Sequence, residues 1–159
     1  MDMNERNAES LYRNQALAVA ERILGLGDRD PSSRTYGCFD RYYWHYKALD
    51  FPNARAQEIG YYLALLWQNP FEGNRFAGVE KVRSWAEAAI DFWYGIQNRD
   101  GSFDEWWPHE RSFCATSFST MMAAETVRLL GQQPNRRVFF RAADWLSRNN
   151  NPEVSNQVA

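Results

Sequence analysis

Apolar residues recur at three- and four-residue steps in five stretches of the chain, the spacing that turns one side of an α-helix toward a core. Residues 5–25 carry Tyr12, Ala16, Val19 and Ile23 at this spacing, continued by Leu26, and Gly25 and Gly27 stop the pattern. Residues 53–67 follow Pro52 and place Ala56, Ile59, Leu63 and Leu66 on one side. Residues 78–97 carry Val79, Val82, Ala86, Ala89, Trp93 and Ile96, and the polar run 98–101 ends them as a turn. In residues 112–130 a small-residue face of Ser117, Thr120, Ala124 and Val127 opposes Phe118, Met122 and Leu129, and Gly131 supplies the cap. The fifth stretch, 136–148 after Pro134, turns Val138, Ala142, Trp145 and Leu146 inward. Nothing in the pattern requires a strand, so the expected fold is all-α.

The polar connections between these helices repeat. Residues 101–130 laid on 37–66 match at Gly37/Gly101, Phe39/Phe103, Asp40/Asp104, His45/His109, Leu65/Leu129 and Leu66/Leu130. That is six identities in thirty ungapped positions, where chance gives roughly two at ordinary residue frequencies. Upstream, residues 25–30 parallel 95–100, and 31–36 form a six-residue insertion in the first copy. A third unit starts at Arg136, where Asp144-Trp145-Leu146 stands like Asp91-Phe92-Trp93 and Asn150 like Gln97. Each unit is a helix, a Gly-x-Phe-Asp or Gly-aromatic loop and a second helix, in a single domain spanning 1–159, with repeats at about 5–70, 77–133 and, in part, 134–159. Repeat units bury their faces against neighbours, so an incomplete third unit leaves an open end at Phe139 and Trp145. Self-association burying those residues, or the small-residue face of 112–130, is therefore expected.

Composition narrows the function classes. The 159 residues are 45% hydrophobic and 16% aromatic, with seven Trp, which excludes a disordered tail and suits either an aromatic core or a ligand cleft. A formal charge of −2 without a Lys/Arg run gives no means of capturing nucleic acid or anionic lipid. The longest apolar run is too short to span a bilayer, and the polar N-terminus is unlike a secretory signal, so a cytoplasmic protein is expected. Cys38 and Cys114 lack CxxC or zinc-ligand spacing, so reduced thiols and neither metal nor cofactor are expected.

Chemistry concentrates in the second loop, where Asp104, Glu105, His109, Glu110 and Arg111 surround Trp106 and Trp107. Glycan sites use carboxylates or His to move protons, Arg to hold uronate carboxylates and flat aromatic faces to stack on sugar rings. On that basis Asp104, Glu105 and His109 are the candidate proton-transfer residues, and Arg111, Trp106 and Trp107 the candidate substrate contacts. The alternative is that Asp104 caps the turn, the Trp pair plugs the end of the repeat, and Glu110-Arg111 is a solvated pair. The first loop adds Tyr43, Trp44 and His45 as an aromatic sugar platform or, alternatively, a wedge between repeats. Asp50 and Gln57 are further polar candidates. The two histidines share a repeat position in the ungapped alignment, which favours a common structural hydrogen bond over two active sites.

The segment Phe92-Trp93-x-x-x-Gln97-x-x-x-Gly101-Ser102-Phe103 resembles the Gln/Trp repeat of the terpenoid cyclases, with Phe103 in place of the Trp that follows the Gly. The resemblance covers about a dozen residues and implies an α/α toroid, here partial, in which Gln97 caps a neighbouring helix end. The Asp-x-Asp-Asp signature of cyclase proton donors is absent. The acidic, His- and Trp-rich loop is more similar to the polysaccharide lyases and glycan hydrolases that share such toroids. The expected function is a carbohydrate-active toroid connected with polysaccharide metabolism, lyase- or hydrolase-like. A terpenoid-cyclase-like protein and a non-catalytic assembly module are the alternatives.

Overall fold

The computed structural model describes residues 3–150, with side chains from residue 8 onward. Six helices and one 3-10 turn account for its regular structure: α1 (Met3–Leu24), α2 (Arg41–Trp44), the 3-10 turn Ala54–Glu58 running into α3 (Ile59–Gln68), α4 (Glu80–Gly95), α5 (Phe113–Leu130) and α6 (Arg136–Asn149). Among the described residues there is no strand, and one isolated antiparallel bridge pairs Phe103 with Ser112. The fold is all-α. No helix of the described residues is long and apolar enough to cross a membrane.

Helix α3 is the centre of the packing. No residue from 54 to 67 is fully exposed, because α4 and α5 both lie against α3. Two cores result. Phe39, Leu63, Ala64, Val82, Ala86, Ala89 and Leu130 close the first around α3 and α4, while Ile90, Trp93, Phe103, Ala115, Val127, Val138 and Ala142 close the second around α4, α5 and α6. Burial of about 25 cal/mol per Å² of apolar surface at these positions is what holds the helices together.

The two Gly-x-Phe-Asp loops share one backbone pairing. In the first, the Asp28 amide donates to the Cys38 carbonyl at 2.8 Å and the Gly37 amide to the Asp28 carbonyl at 2.9 Å. In the second, the Asn98 amide donates to Ser102 at 2.9 Å and Gly101 to Asn98 at 3.0 Å. The six extra residues 31–36 are accommodated between the paired positions. Both loop glycines have positive φ, 88° at Gly37 and 104° at Gly101. Each lies against the backbone of the helix that opens the next unit: a Cβ on Gly37 would overlap the Ala88 carbonyl of α4, and one on Gly101 the Arg141 carbonyl of α6. The step from Ala88 to Arg141 is the step from Asp91 to Asp144 seen in the sequence.

Beyond Asp40 the thirty-residue ungapped register does not hold. Asn53 caps the first helix by accepting from Arg55 N, and Ser112 caps the second by accepting from Ala115 N. The chain takes thirteen residues from Asp40 to Asn53 and eight from Asp104 to Ser112, so the second helices correspond at a separation of 59 rather than 64. At that separation Gln57 pairs with Thr116, and these are the side chains that accept the buried amides of Phe39, at 3.3 Å, and Phe103, at 2.9 Å. The histidines are thereby separated. His45 has right-handed helical geometry at the end of α2, and His109 has φ of +63°.

Three further expectations change. Tyr12 is 73% exposed, and the buried side of α1 is carried by Ala20 and Leu24. On α5 the buried side is Ala115, Thr116, Ser119, Ala123, Thr126 and Val127, rotated from the expected small-residue face, and Ala124 is exposed. The face expected to be open is covered by the chain's own helices. Trp145 is 8% exposed with Phe113 at 6.3 Å, and Phe139 packs on Trp93 and Tyr94 at 5.5 and 6.0 Å. Both side chains therefore have partners within the chain and do not depend on a second copy to cover them. The segment 152–159 lies outside the described residues.

Candidate functional site

Asp104 organises the second loop. One carboxylate oxygen accepts the Arg111 amide at 2.9 Å and the Asn98 side-chain amide at 3.0 Å, and the other accepts the His109 amide at 2.9 Å. His109 and Arg111 are the two non-glycine residues of the loop with positive φ, 63° and 55°. Such geometry costs on the order of 1–3 kcal/mol per residue and persists only where surrounding bonds impose it. Glu110 acts likewise, accepting the amides of Glu105 and Trp106 at 3.1 and 2.8 Å. Asp104→Ala is expected to cost about 1–3 kcal/mol, the value of hydrogen bonds to a charged acceptor, and to raise amide exchange across residues 105–111. Unchanged exchange there would show that another group holds the loop.

The remaining sequence candidates take different places. Trp106 and Trp107 are 68% and 71% exposed. Arg111 is exposed and pairs with Asp100 at 3.2 Å. His109 is exposed, and Glu105 is half-buried. In the first loop Tyr43 turns to Phe92 of α4, 6.4 Å between ring centres, and Trp44 donates its indole N–H to the Leu26 carbonyl at 2.8 Å. His45 is exposed between the rings of Trp44 and Tyr46, at 5.0 and 4.9 Å. Trp44 thus ties the loop to the end of α1, as a wedge would. Tyr43 and Phe92 also line one cleft of the described surface.

Glu105 has neighbours that the sequence alone did not single out. The Ala54 amide donates to the Asp104 carbonyl at 3.0 Å, which brings the start of the first unit's second helix against the second loop. Arg55 and Glu58 follow, and Arg55 chelates Glu58 with its Nε and a terminal nitrogen. The other terminal nitrogen of Arg55 donates to the Cys114 sulfur at 3.2 Å, and its guanidinium lies 4.7 Å from the Phe118 ring centre. Burial raises the Glu58 carboxyl above its ordinary 4.5, and the Glu105 charge raises it further, against the opposing pull of Arg55. Both Glu58 and Glu105 therefore stand at the loop end of the central helices, within electrostatic reach of each other. An Arg-x-x-Glu spacing was the available signal, but it is also the spacing of an ordinary helix-surface ion pair.

The raised Glu58 carboxyl has a direction in pH. Between 4.5 and its higher native value the folded chain binds more protons than the unfolded chain, so Glu58's contribution to stability, present at lower pH, is lost as pH rises through that window. Glu58→Gln is expected to flatten this decline when urea midpoints are compared from pH 4 to 7. Parallel curves for the two proteins would show that Glu58 does not titrate in that range.

The other ionisable groups are less suggestive. Both cysteines are free, and burial pushes the Cys38 thiol up to about 12. No three metal-ligating side chains gather among the described residues. The chain matches no known protein-family model, no curated protein and no solved structure.

Proposed function

We propose that the chain is a carbohydrate-active helical protein, a partial α/α toroid with a glycan site at the loop end of its central helices. The observation that carries this reading is the Glu58–Glu105 pair. One carboxyl is desolvated and holds its proton to higher pH, the second is half-buried and close enough for its charge to act on the first, and two exposed indoles follow it directly in the chain. A carboxyl that holds its proton beside a second carboxyl is the arrangement by which a glycosidic bond is protonated on one side and attacked on the other. In this reading Glu58 is the acid, Glu105 the second carboxylate, and Trp106 and Trp107 the stacking surface. Asp104 and Glu110 shape the loop that presents them.

The toroid component has its own support. Trp93 stacks on Phe103 with 4.5 Å between ring centres and 15° between planes, and the Gln97 amide donates to the carbonyls of Gly101 and Val138 at 3.1 and 2.9 Å. The residues that carry the Gln/Trp resemblance thus tie one unit's loop to the next unit's first helix. The experiment is incubation with neutral glucans and uronate polysaccharides. New reducing ends are the expected product, accompanied by unsaturated uronate if the chemistry is elimination. Glu58→Gln and Glu105→Gln should lower product formation while leaving the folding transition cooperative. A protein that neither binds nor cleaves any glycan offered would overturn the reading. It would then favour an assembly module, to which the capture of Asp104 and Glu110 by loop amides already lends support.

A further inference from the structure

The six residues inserted into the first loop build something that the second loop lacks. Asp28 is 5% exposed, and its carboxylate accepts Ser33 Oγ at 2.5 Å, Thr35 Oγ1 at 2.7 Å and the Asp30 amide at 3.2 Å. Asn98 stands at the corresponding place in the second loop, where a short turn leads directly to Gly101. The insertion is therefore held in one shape from within. Its outer side forms a wall of a cleft of about 560 Å³, with Arg34 and Tyr36 on that wall and Tyr43, Pro52, Asp91 and Phe92 among the residues facing them.

Three aromatic rings and two oppositely charged side chains around one open cleft suit a ligand with apolar CH faces and many hydroxyls. Rings stack on the faces, and the carboxylate and guanidinium bond pairs of hydroxyls. Neither an apolar ligand nor an anion satisfies both charges. Burial and the nearby Glu87 charge raise the Asp91 carboxyl, although the residue lies at the exposed rim of the cleft. Position supports the same class. Pro52 forms part of the cleft and Glu58 follows six residues later, a stretch that spans at most about 20 Å even when fully extended.

We infer that this cleft is a second sugar subsite, formed by Arg34, Tyr36, Tyr43, Asp91 and Phe92, which holds the distal part of an oligosaccharide whose other end reaches Glu58 and Glu105. The inference rests on the proposed function. It adds that ligand length matters, because a chain spanning both places gains the second set of contacts without a second association cost.

Cellohexaose and hexagalacturonate serve as the neutral and anionic probes, titrated by calorimetry and by amide chemical-shift mapping into the full chain. The expected result is a hexasaccharide that shifts resonances of residues 34–36, 43 and 91–92 as well as 55–58 and 105–107. Asp91→Asn and Tyr43→Ala should each weaken it about tenfold, while the corresponding disaccharide at the Glu58 end binds both variants and the parent alike. Arg34→Gln, a change on the cleft wall, provides a third variant should Tyr43→Ala lose stability. Hexasaccharide binding confined to residues 55–58 and 105–107, and indifferent to Asp91→Asn, would overturn the second subsite and leave the proposed function standing. Shifts confined to the cleft would sustain a sugar site there but overturn the span to Glu58. The absence of binding by either probe would overturn both.

Discussion

Gly101→Ala should destabilise the protein by about 2–6 kcal/mol, the sum of a strained backbone and an overpacked contact. The new methyl would overlap a backbone carbonyl of α6 at Arg141, which cannot rotate away as a side chain tip can. Relief would require α6 to withdraw. That helix is held at the same place by the Gln97 amide on the Val138 carbonyl and by the Arg141 guanidinium, which donates to the carbonyls of Asn98, at 2.7 Å, and Arg99. With φ at 104° the alanine is also unfavourable in its own backbone, whatever the space. Gly37→Ala meets the same obstacle at Ala88 of the central α4, and its cost should be no smaller. Gly95→Ala is the control: no atom lies within 4 Å of its added methyl, so stability should be unchanged or raised by up to about 1 kcal/mol. Urea unfolding of the three variants decides the matter. A loss below about 1 kcal/mol at Gly101 would mean that the loop does not seat on the next helix.

Those glycines also mark how far the sequence could be followed. The Gly-x-Phe-Asp signature was legible because its letters are imposed by backbone constraints, and only glycine meets the close approach and the positive φ together. The start of a third unit was legible for the same reason, since Asp91 and Asp144 are separated by the distance that separates the two helix positions under the loop glycines. The register beyond the loop was not. Gln57 and Thr116 perform one task, accepting a buried phenylalanine amide, with side chains that share no sequence pattern. The five residues gained between Asp40 and Asn53 lie in the aromatic stretch around α2, where nothing in the residue types marks an insertion.

At the site the difficulty was one of competition. Asp104, Glu110 and His109 carry the right groups for proton transfer, but a loop that turns through two positive-φ residues needs acceptors for its amides, and the nearest carboxylates supply them. Only the path of the backbone reveals which carboxylate is consumed in this way and which remains. Glu58 was hidden differently. Its burial depends on Ala54 docking against the second loop, a contact between residues fifty positions apart in the chain.

Phe103→Ala should cost about 3–5 kcal/mol, toward the upper end of what a buried aromatic truncation removes. The ring is 0% exposed and stacked on Trp93, so the truncation loses both its burial and an aromatic pair. What decides the magnitude is whether neighbours can fill the space. Ala54, Ala115, Ala123 and Ala142 belong to the same core, and an alanine has no side chain to rotate inward. Trp93 is also fixed, its indole N–H donating to Ser119 Oγ at 3.0 Å, and the backbone at Phe103 is held by the Thr116 hydroxyl at 2.9 Å. The cavity should therefore persist rather than collapse. Phe103→Leu keeps much of the volume and should cost less than half as much, which separates lost packing from a general disturbance of the loop. The Phe39→Ala loss should be comparable, since Phe39 is 3% exposed in the first core and its amide is held by Gln57 in the same manner. Chemical unfolding followed by tryptophan fluorescence reads all three. A loss below about 1 kcal/mol for Phe103→Ala, or equal losses for the alanine and leucine variants, would show that the stacked ring is not what joins the second loop to the α4–α6 core.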